Sequence, residues 1–145
     1  MGLYVSGLTK DQYVALARFR YALRAFLEFS EAATGARGIT TQQYQALLAI
    51  KASAENCLNV RELAAEMLIK HNGAVQLVDR LVDAGLVRRL PSTEDRRVVT
   101  IRMTAKGERK LAELADLHFR ELVARHKQLT GILQLGAQLS LAKTG

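Results

Sequence analysis

Five arginines lie close together between residues 86 and 102, and they are the side chains of this chain best suited to bind an anion. Only two acidic residues, Glu94 and Asp95, stand among them. Each phosphate that a cationic side chain neutralises on a nucleic acid releases condensed counterions, which is a sequence-independent source of affinity. This arginine cluster therefore predicts polyanion binding. Its members are Arg88, Arg89, Arg96, Arg97 and Arg102.

The overall composition agrees with an anionic partner. The chain has 145 residues, a formal net charge of +7 and a sequence pI near 9.9. Such a charge favours a nucleic acid or a membrane surface and does not choose between them. A hydrophobic fraction of 49% is enough for a core, and a single proline favours long uninterrupted helices. The length suits one domain, or one domain with helical extensions.

Several other function classes find no support in the sequence. The single cysteine cannot form an internal disulfide, and no stretch approaches the roughly 20 apolar residues that span a bilayer. The first residues also lack the basic start and apolar run of a signal peptide, so we expect a cytoplasmic location and no membrane partner. There is no glycine-rich phosphate loop, nucleophile–base pair or metal-spaced Cys/His cluster, so we expect neither an enzyme nor a metal or cofactor.

Two short helices are predicted just before the arginine cluster. The first spans Val60–Leu68, with Asn59 as its N-cap and Glu62 three residues later, as a capping box requires. The second begins between residues 70 and 72 and runs to residue 84, and Gly85 follows where a left-handed C-cap residue is expected. Apolar spacing by three and four predicts its inward face, which is Val75, Val78, Leu81 and Val82.

A hairpin is predicted after the second helix. Leu86–Leu90 and Val98–Met103 have the pattern of short strands, and the polar segment Pro91–Arg97 has the composition of the loop between them. Leu58–Val60 is a candidate third strand. Two packed helices with an adjoining hairpin predict a winged helix-turn-helix, a DNA-reading module. The predicted fold is thus mainly α with a small antiparallel β-wing.

Helices are also predicted on the N-terminal side of this module. One begins at Thr9 and runs to about Ala33, and another begins at Thr40 or Thr41 and runs to about Ala52. The first has an apolar face that must pack on the C-terminal helices or on a second subunit. That face comprises Leu16, Phe19, Leu23, Phe26 and Leu27.

A long helix is predicted after the hairpin, with Thr104 as its cap and a break near residues 130–131. Lys106, Arg109 and Lys110 fall in its first two turns. Cations there oppose the helix macrodipole, at a cost of roughly a few tenths of a kcal/mol each. Another interaction must therefore favour them, and a nearby phosphate backbone is one candidate.

At these residues the chain resembles the multiple antibiotic resistance regulator (MarR) family of bacterial winged-helix repressors. The likeness covers roughly Ile39–Leu114. Its most specific part is Asp95–Arg97 in the wing loop, followed by a strand and then by the Met-Thr-x-x-Gly pattern of Met103–Gly107. Leu77–Leu81 and Glu62–Ala64 are the other two matching segments.

The resemblance implies three parts: an N-terminal dimerisation helix in residues 1–38, a winged helix-turn-helix in residues 39–103, and C-terminal dimerisation helices in residues 104–145. It implies a homodimer that binds a pseudo-palindromic operator in double-stranded DNA, most simply as a repressor. The second helix would enter the major groove and the wing the minor groove. Many family members respond to small aromatic or lipophilic anions bound between the dimerisation and DNA-binding parts, so such an effector is a candidate partner.

Five residues at the start of the second helix are predicted to contact the major groove. Asn and Gln side chains can pair with adenine edges, and an Ala methyl group can touch a thymine methyl group. Further along the same helix, Asp79 and Arg80 are expected to make contacts within the protein. The predicted DNA contacts are Lys70, His71, Asn72, Ala74 and Gln76.

The wing supplies the second set of predicted contacts. Arg97 aligns with the arginine that resembling proteins insert into the minor groove, where A·T-rich DNA concentrates negative potential. Asp95 is expected to orient Arg97, since a carboxylate would be repelled by phosphate. The predicted wing residues are Arg88, Arg89, Thr93, Asp95, Arg96 and Arg97.

Three other interpretations stay open. The winged helix could be a protein–protein interaction module whose basic wing binds an acidic partner. Cys57 could make the protein a redox-sensing repressor, although an inert small residue is the simpler interpretation. Phe19, Phe26, Tyr44 and His118 could line a ligand pocket, although aromatic residues at helical spacing are more often part of a core.

Overall fold

The computed structural model describes residues 7–142, and within them the chain forms five helices and a three-stranded sheet. The fold predicted from the sequence, mainly α with a small antiparallel β-wing, is confirmed. No helix in this range has the length and apolar composition that crossing a bilayer requires. The elements are α1 (Lys10–Gly35), α2 (Thr41–Ala52), β1 (Cys57–Leu58), α3 (Val60–Met67), α4 (His71–Asp83), β2 (Val87–Pro91), β3 (Val99–Met103) and α5 (Ala105–Ala142).

The chain divides into two compact units. The first unit, in the part that the structure describes, comprises α1 as far as Ser30 and α5 from Phe119 onward. The second unit runs from Glu31 to His118. It contains the three strands, the helices α2, α3 and α4, the last residues of α1 and the beginning of α5.

Helix α3 begins where the sequence predicts. The Glu62 amide donates to Asn59 Oδ1 at 2.8 Å, and the Asn59 amide donates to Glu62 Oε2 at 2.9 Å. This reciprocal capping box is confirmed, and it satisfies amide groups that a helix N-terminus otherwise leaves without a partner. The helix ends at Met67, and the left-handed backbone of its C-cap Leu68 (φ 53°, ψ 41°) turns the chain toward α4.

Helix α4 buries a face that is offset from the predicted one. Val75 and Val82, predicted to point inward, are only half-buried. The spacing of the buried set, by three, one and three, is as regular as the predicted spacing, so periodicity alone does not choose between the two faces. Ala84 is the C-cap of the helix, and Gly85 follows it with a left-handed φ of 72°, the backbone conformation that the sequence predicts at this position. The buried residues of α4 are Ala74, Leu77, Val78 and Leu81.

The sheet has the strand order β1-β3-β2, and both pairings are antiparallel. The predicted third strand is present, at Cys57–Leu58. In β3, Ile101 is buried and lies opposite Arg89, whereas Arg102 lies opposite Arg88. Because side chains alternate along a strand, Arg89 is on the sheet face that carries Ile101, and Arg88 is on the other face.

The core of the second unit lies between its helices and the inner face of the sheet. Its largest side chains are fully buried aliphatic residues, and burying each one stabilises the fold by about 1.5–3 kcal/mol relative to exposure. This core fixes the geometry of α4 against β2 and β3. The residues are Leu47, Ile50, Leu63, Leu77, Leu81, Leu86, Ile101 and Leu114.

Thr104 caps α5, as the sequence predicts, and also joins α5 to the turn after α4. Its Oγ1 accepts a hydrogen bond from the Gly107 amide at 3.1 Å and donates one to the Gly85 carbonyl at 2.6 Å. The Thr104 amide donates to the Leu86 carbonyl at 3.0 Å. The first turn of α5 is therefore held directly against the end of α4.

Two of the cations at the start of α5 have partners inside the protein. Lys106 Nζ donates to the carbonyl of Ala84, the C-cap of α4, at 2.8 Å. Lys110 Nζ donates to the Arg37 carbonyl at 3.0 Å. A cation beside the last carbonyls of a helix is favourable, which offsets the unfavourable position of Lys106 in α5. A phosphate is therefore not needed to explain these two lysines.

The break predicted near residues 130–131 is wrong. Helix α5 continues to Ala142. The Thr130 hydroxyl donates to the His126 carbonyl at 2.9 Å, one turn back along the helix. A glycine such as Gly131 costs a helix only about 1 kcal/mol relative to alanine, which weakens a long helix without ending it.

Candidate nucleic-acid interface

The start of α4 presents four of the five side chains predicted to contact the major groove. Lys70 is the N-cap residue, and its side chain makes no capping hydrogen bond. Lys70, His71, Asn72 and Gln76 are all exposed. The predicted contact by Ala74 is wrong, because its side chain is 0% exposed on the inward face of the helix.

Arg97 extends from the wing loop, and Asp95 holds its base. Asp95 Oδ1 accepts the Arg97 amide at 3.0 Å and Arg97 Nε at 3.2 Å, and Oδ2 accepts Arg97 Nη2 at 3.3 Å. The Arg97 side chain is nevertheless 91% exposed. Hydrogen bonds donated by the side chain and the backbone amide of Arg97 lower the pKa of Asp95 below the usual 3.8. The predicted Asp95–Arg97 contact is present, and its role toward DNA stays a prediction.

Backbone hydrogen bonds close the wing loop. The Ser92 amide donates to the Val98 carbonyl at 2.7 Å, and the Val98 amide donates to the Asp95 carbonyl at 3.0 Å. Thr93 and Arg96 are exposed on this loop, and neither makes a side-chain hydrogen bond or ion pair within residues 7–142. The loop is thus a fixed turn that presents its arginines to solvent.

The arginines of β2 and β3 have different surroundings. Arg89 Nη2 donates to Asp79 Oδ1 of α4 in an ion pair. Arg102 Nη1 donates to the Glu55 carbonyl at 3.3 Å. Arg88 is exposed on the opposite face of the sheet from Arg89, and the described residues give it no ion pair. Arg88 therefore keeps a charge available to an outside partner, whereas the charge of Arg89 is already matched.

The two residues expected to make contacts within the protein both do so. Asp79 bonds Arg89, and Arg80 Nη2 donates to Gln42 Oε1 at 3.3 Å. These contacts tie α4 to β2 on one side and to α2 on the other. His71, Asn72 and Gln76, in the N-terminal half of α4, are exposed and make no side-chain hydrogen bond within the described residues.

The second unit thus carries two exposed basic elements, the start of α4 and the wing. A helix fits the major groove of B-DNA, and an arginine suits a narrow minor groove. The uncommitted cations can neutralise phosphates without first breaking an internal ion pair. They are Lys70, Arg88 and Arg96, to which Arg97 adds a guanidinium anchored by its own loop.

The wing sequence and the fold around it point to one known family. The family model described as "MarR family" matches residues 37–98 of this chain. Over these residues the chain is similar to the MarR family. The resemblance seen in the sequence is confirmed, and the match covers the helix-turn-helix and most of the wing.

Two curated bacterial proteins are similar to this chain in sequence. The chain is 32% identical over 93 residues to the HTH-type transcriptional repressor MdtR of Bacillus subtilis (strain 168), covering 64% of this chain and 54% of MdtR. It is 30% identical over 92 residues to the multiple antibiotic resistance protein MarR of Escherichia coli (strain K12), covering 63% of this chain and 60% of that protein. The chain therefore spans between about half and three fifths of the length of these relatives.

Solved structures share the fold of most of the chain, and one of them is described as a MarR family transcriptional regulator. AbsC of Streptomyces coelicolor has a TM-score of 0.73 at 20% identity, with 95% of this chain and 96% of AbsC covered. CouR of Rhodococcus jostii RHA1, solved with p-coumaroyl-CoA bound, has a TM-score of 0.69 at 25% identity, with coverages of 83% and 85%. The winged-helix fold with long flanking helices is therefore that of the MarR family.

The four candidate pocket residues divide between the two units. In the second unit Tyr44 and His118 stack, with ring centroids 4.2 Å apart, and His118 Nδ1 lies 2.7 Å from the Leu114 carbonyl oxygen. Both side chains are buried, and burial raises the pKa of Tyr44. Phe19 and Phe26 are half-buried in the first unit. A ligand pocket made by these residues stays a prediction.

A separate cavity of about 960 Å³ lies in the first unit, between α1 and α5. None of the four predicted pocket residues lines it. Its lining includes Val14, Arg18 and Tyr21 from α1, and Lys127 and Leu135 from α5. This mixture of apolar and cationic side chains was not apparent from the sequence, because the residues are far apart along the chain.

Cys57 lies in strand β1. It is a free thiol, half-buried, and its carbonyl accepts the Ser53 hydroxyl at 3.1 Å. No group of three or more His, Cys, Asp or Glu side chains in the described part of the chain is arranged to hold a metal. A redox role for Cys57 stays a prediction.

Sequence reasoning missed the ion pair between Asp79 and Arg89. It placed Arg89 among the DNA contacts because charge alone was considered. The alternation of side chains along a strand distinguishes Arg88 from Arg89. Val87 is apolar and expected to face inward, so the residue two positions later lies on the same face of the sheet. Arg89 follows Val87 by two positions, and Arg88 does not.

Proposed function

We propose that this chain is a DNA-binding transcriptional regulator of the MarR family. It acts as a homodimer on a pseudo-palindromic operator and represses transcription by occupying the promoter. The observation that carries this proposal is the Asp95–Arg97 pair, which presents an exposed arginine from a closed wing loop. That loop belongs to the same compact unit as the exposed start of α4.

The proposed binding mode uses both basic elements of the second unit. Helix α4 enters the major groove, where Asn72 and Gln76 read base edges. Arg97 enters the adjacent minor groove, and Arg88 and Arg96 bind phosphates. Affinity then falls steeply as salt concentration rises, whereas sequence preference depends on α4.

The first unit supports the homodimer. Large apolar side chains on both of its helices are exposed in the single chain, among them Tyr21 at 63% and Phe119 at 70%. Soluble proteins rarely expose many large apolar side chains on one set of elements unless a partner covers them. A second copy of this unit is the partner that a two-fold operator requires.

An effector would act by changing the population of DNA-competent dimers. The CouR structure contains p-coumaroyl-CoA. For this chain we propose a small aromatic or lipophilic anion that favours a dimer whose α4 helices are wrongly spaced for the two half-sites. The cytoplasmic location stays a prediction.

A gel-shift titration tests the proposed function. The probe is the DNA that flanks the protein's own gene, with random duplex as competitor, at two salt concentrations. A sequence-specific, salt-sensitive shift supports the proposal and provides an assay for aromatic carboxylates as effectors. Absence of any shift at low salt would overturn it and favour a module that binds an acidic protein.

A further inference from the structure

Helix α4, which the proposed function places in the major groove, carries an exposed acidic residue, Asp79. Its side chain is 55% exposed and its partner Arg89 is 36% exposed, so the ion pair lies at the surface. Surface ion pairs contribute little to folding stability, because water already solvates both charges well. Folding stability therefore does not account for this ion pair. The pair also changes the charge that this surface presents to an outside partner.

The neighbouring residue Arg88 provides an internal comparison. Arg88 and Arg89 are adjacent in β2 and carry the same charge. Strand alternation directs Arg89 toward the face that carries Ile101, where α4 supplies Asp79, and directs Arg88 to the opposite face. The charge of Arg89 is thus neutralised by α4, and the charge of Arg88 is not.

The pairing changes what Arg89 can contribute to DNA binding. An arginine that is free in the protein gains a phosphate partner and releases a counterion when DNA binds. An arginine already held by a carboxylate must share or exchange that partner, and the carboxylate itself repels phosphate. Sequence-independent affinity is lowered, while contacts at the start of α4 are unaffected.

We propose that Asp79 is a specificity-determining residue, which holds Arg89 away from the phosphate backbone and so limits binding to random DNA. Arg89 then serves to position β2 against α4. This inference rests on the proposed DNA-binding function and deepens it, because it assigns opposite roles to two adjacent wing arginines.

The test is a salt titration of binding to a random-sequence 30-bp duplex, followed by fluorescence anisotropy. The proteins compared are wild type, Asp79→Asn, Arg89→Gln, the double variant and the matched control Arg88→Gln. Each phosphate contact contributes about 0.9 to the slope of log affinity against log salt, which is about a threefold change in affinity between 50 and 200 mM salt.

We expect Asp79→Asn to bind the random duplex at least about threefold more tightly at 50 mM salt, with a slope steeper by about one. Arg89→Gln alone keeps the wild-type slope, whereas Arg88→Gln makes it shallower by about one. The double variant returns to the wild-type slope, because the released arginine is gone. A purely structural role for the pair would not change these slopes.

Two results would overturn the inference. Arg89→Gln could lower the slope as much as Arg88→Gln does, which would mean that Arg89 already binds phosphate. The double variant could keep the tighter binding of Asp79→Asn, which would mean that Asp79 acts by repulsion alone. If wild type binds no duplex even at 50 mM salt, the proposed DNA-binding function itself fails. Circular dichroism melts of all five proteins establish that each is folded.

Discussion

At the scale of single residues, the three hydrogen bonds between Asp95 and Arg97 prepare an arginine for binding. A free arginine side chain loses about 2 kcal/mol of rotamer entropy when it is fixed. Asp95 restricts the guanidinium while leaving the side chain 91% exposed, so part of that loss occurs when the protein folds. The carboxylate is close enough to orient the Arg97 guanidinium, since both of its oxygens accept hydrogen bonds from that group.

Replacing Arg97 by alanine should weaken operator binding. Loss of a minor-groove arginine costs about 1–3 kcal/mol, or roughly a 5- to 150-fold rise in Kd. The fold should be unaffected, because the Arg97 side chain bonds only Asp95 in the described structure. The measurement is fluorescence anisotropy with the operator fragment, with circular dichroism for the fold. The control Arg24→Ala removes an exposed arginine of the first unit, and an equal loss in both variants would exclude a special role for the wing.

The Asp95–Arg97 contact should also determine how Asp95 titrates. Because Arg97 lowers the pKa of Asp95, the contact is fully present above the ordinary value of 3.8 and is lost as pH falls through the lower folded value. An NMR titration of the Asp95 carboxyl should give a midpoint below 3.8 in wild type and a higher one in Arg97→Ala. Identical midpoints would show that the pair is not formed in solution.

At the scale of elements, two glycines at the starts of helices have opposite environments. A Cβ at Gly107 of α5 would lie 2.1 Å from the Leu86 carbonyl oxygen. This contact is so short that the backbone would have to shift to relieve it. A Cβ at Gly73 of α4 would meet only Ile69 Cδ1, at 3.9 Å. The glycine of the Met-Thr-x-x-Gly pattern is therefore explained by close packing of α5 on the turn after α4.

The substitution Gly107→Ala should destabilise the protein by about 1–3 kcal/mol, the usual cost of an overpacked site. Gly73→Ala is the matched control, and it should stabilise the protein by up to about 1 kcal/mol, because alanine is the better helix former. Urea denaturation of both variants gives the two free energies of unfolding. A neutral Gly107→Ala would mean that α5 does not pack closely on Leu86.

The elements that the sequence predicted well are those with local signals. The capping box depends on two residues three positions apart, Asn59 and Glu62, and the left-handed turn after α4 depends on Gly85 alone. Both are observed. The buried face of α4 and the partner of Arg89 depend on contacts between elements, which no local pattern encodes. That is why Ala74 was placed outside and the Asp79–Arg89 ion pair was missed. The lysines at the start of α5 illustrate the same point, since Lys106 and Lys110 bond carbonyls distant in sequence.

At the scale of the whole molecule, the two compact units divide the proposed tasks. The second unit holds the wing, the exposed start of α4 and the buried core that supports them. The first unit exposes large apolar side chains on both α1 and α5. A formal net charge of +7 therefore says less about function than its local arrangement, because many of the charges are already paired within the protein.

This division predicts which apolar surface forms the dimer. Leu16 in the first unit and Leu48 in the second are similarly exposed, at 50% and 43%. Leu16→Glu should weaken the dimer about 100-fold or more, because a two-fold interface contains the residue twice and each copy loses at least about 1.5 kcal/mol of burial. Leu48→Glu, the same chemical change, should leave the dimer intact. Sedimentation velocity over a concentration series measures both.

The reverse result would locate the interface on the second unit, which also carries the basic wing. Dimerisation would then use the same compact unit that the proposed function assigns to DNA. The Leu16 and Leu48 variants therefore also test whether dimerisation and DNA binding are compatible in this chain. A Leu16→Glu protein that is monomeric and folded should bind a single half-site weakly and lose preference for the two-fold operator, because only a dimer fixes the spacing of two α4 helices.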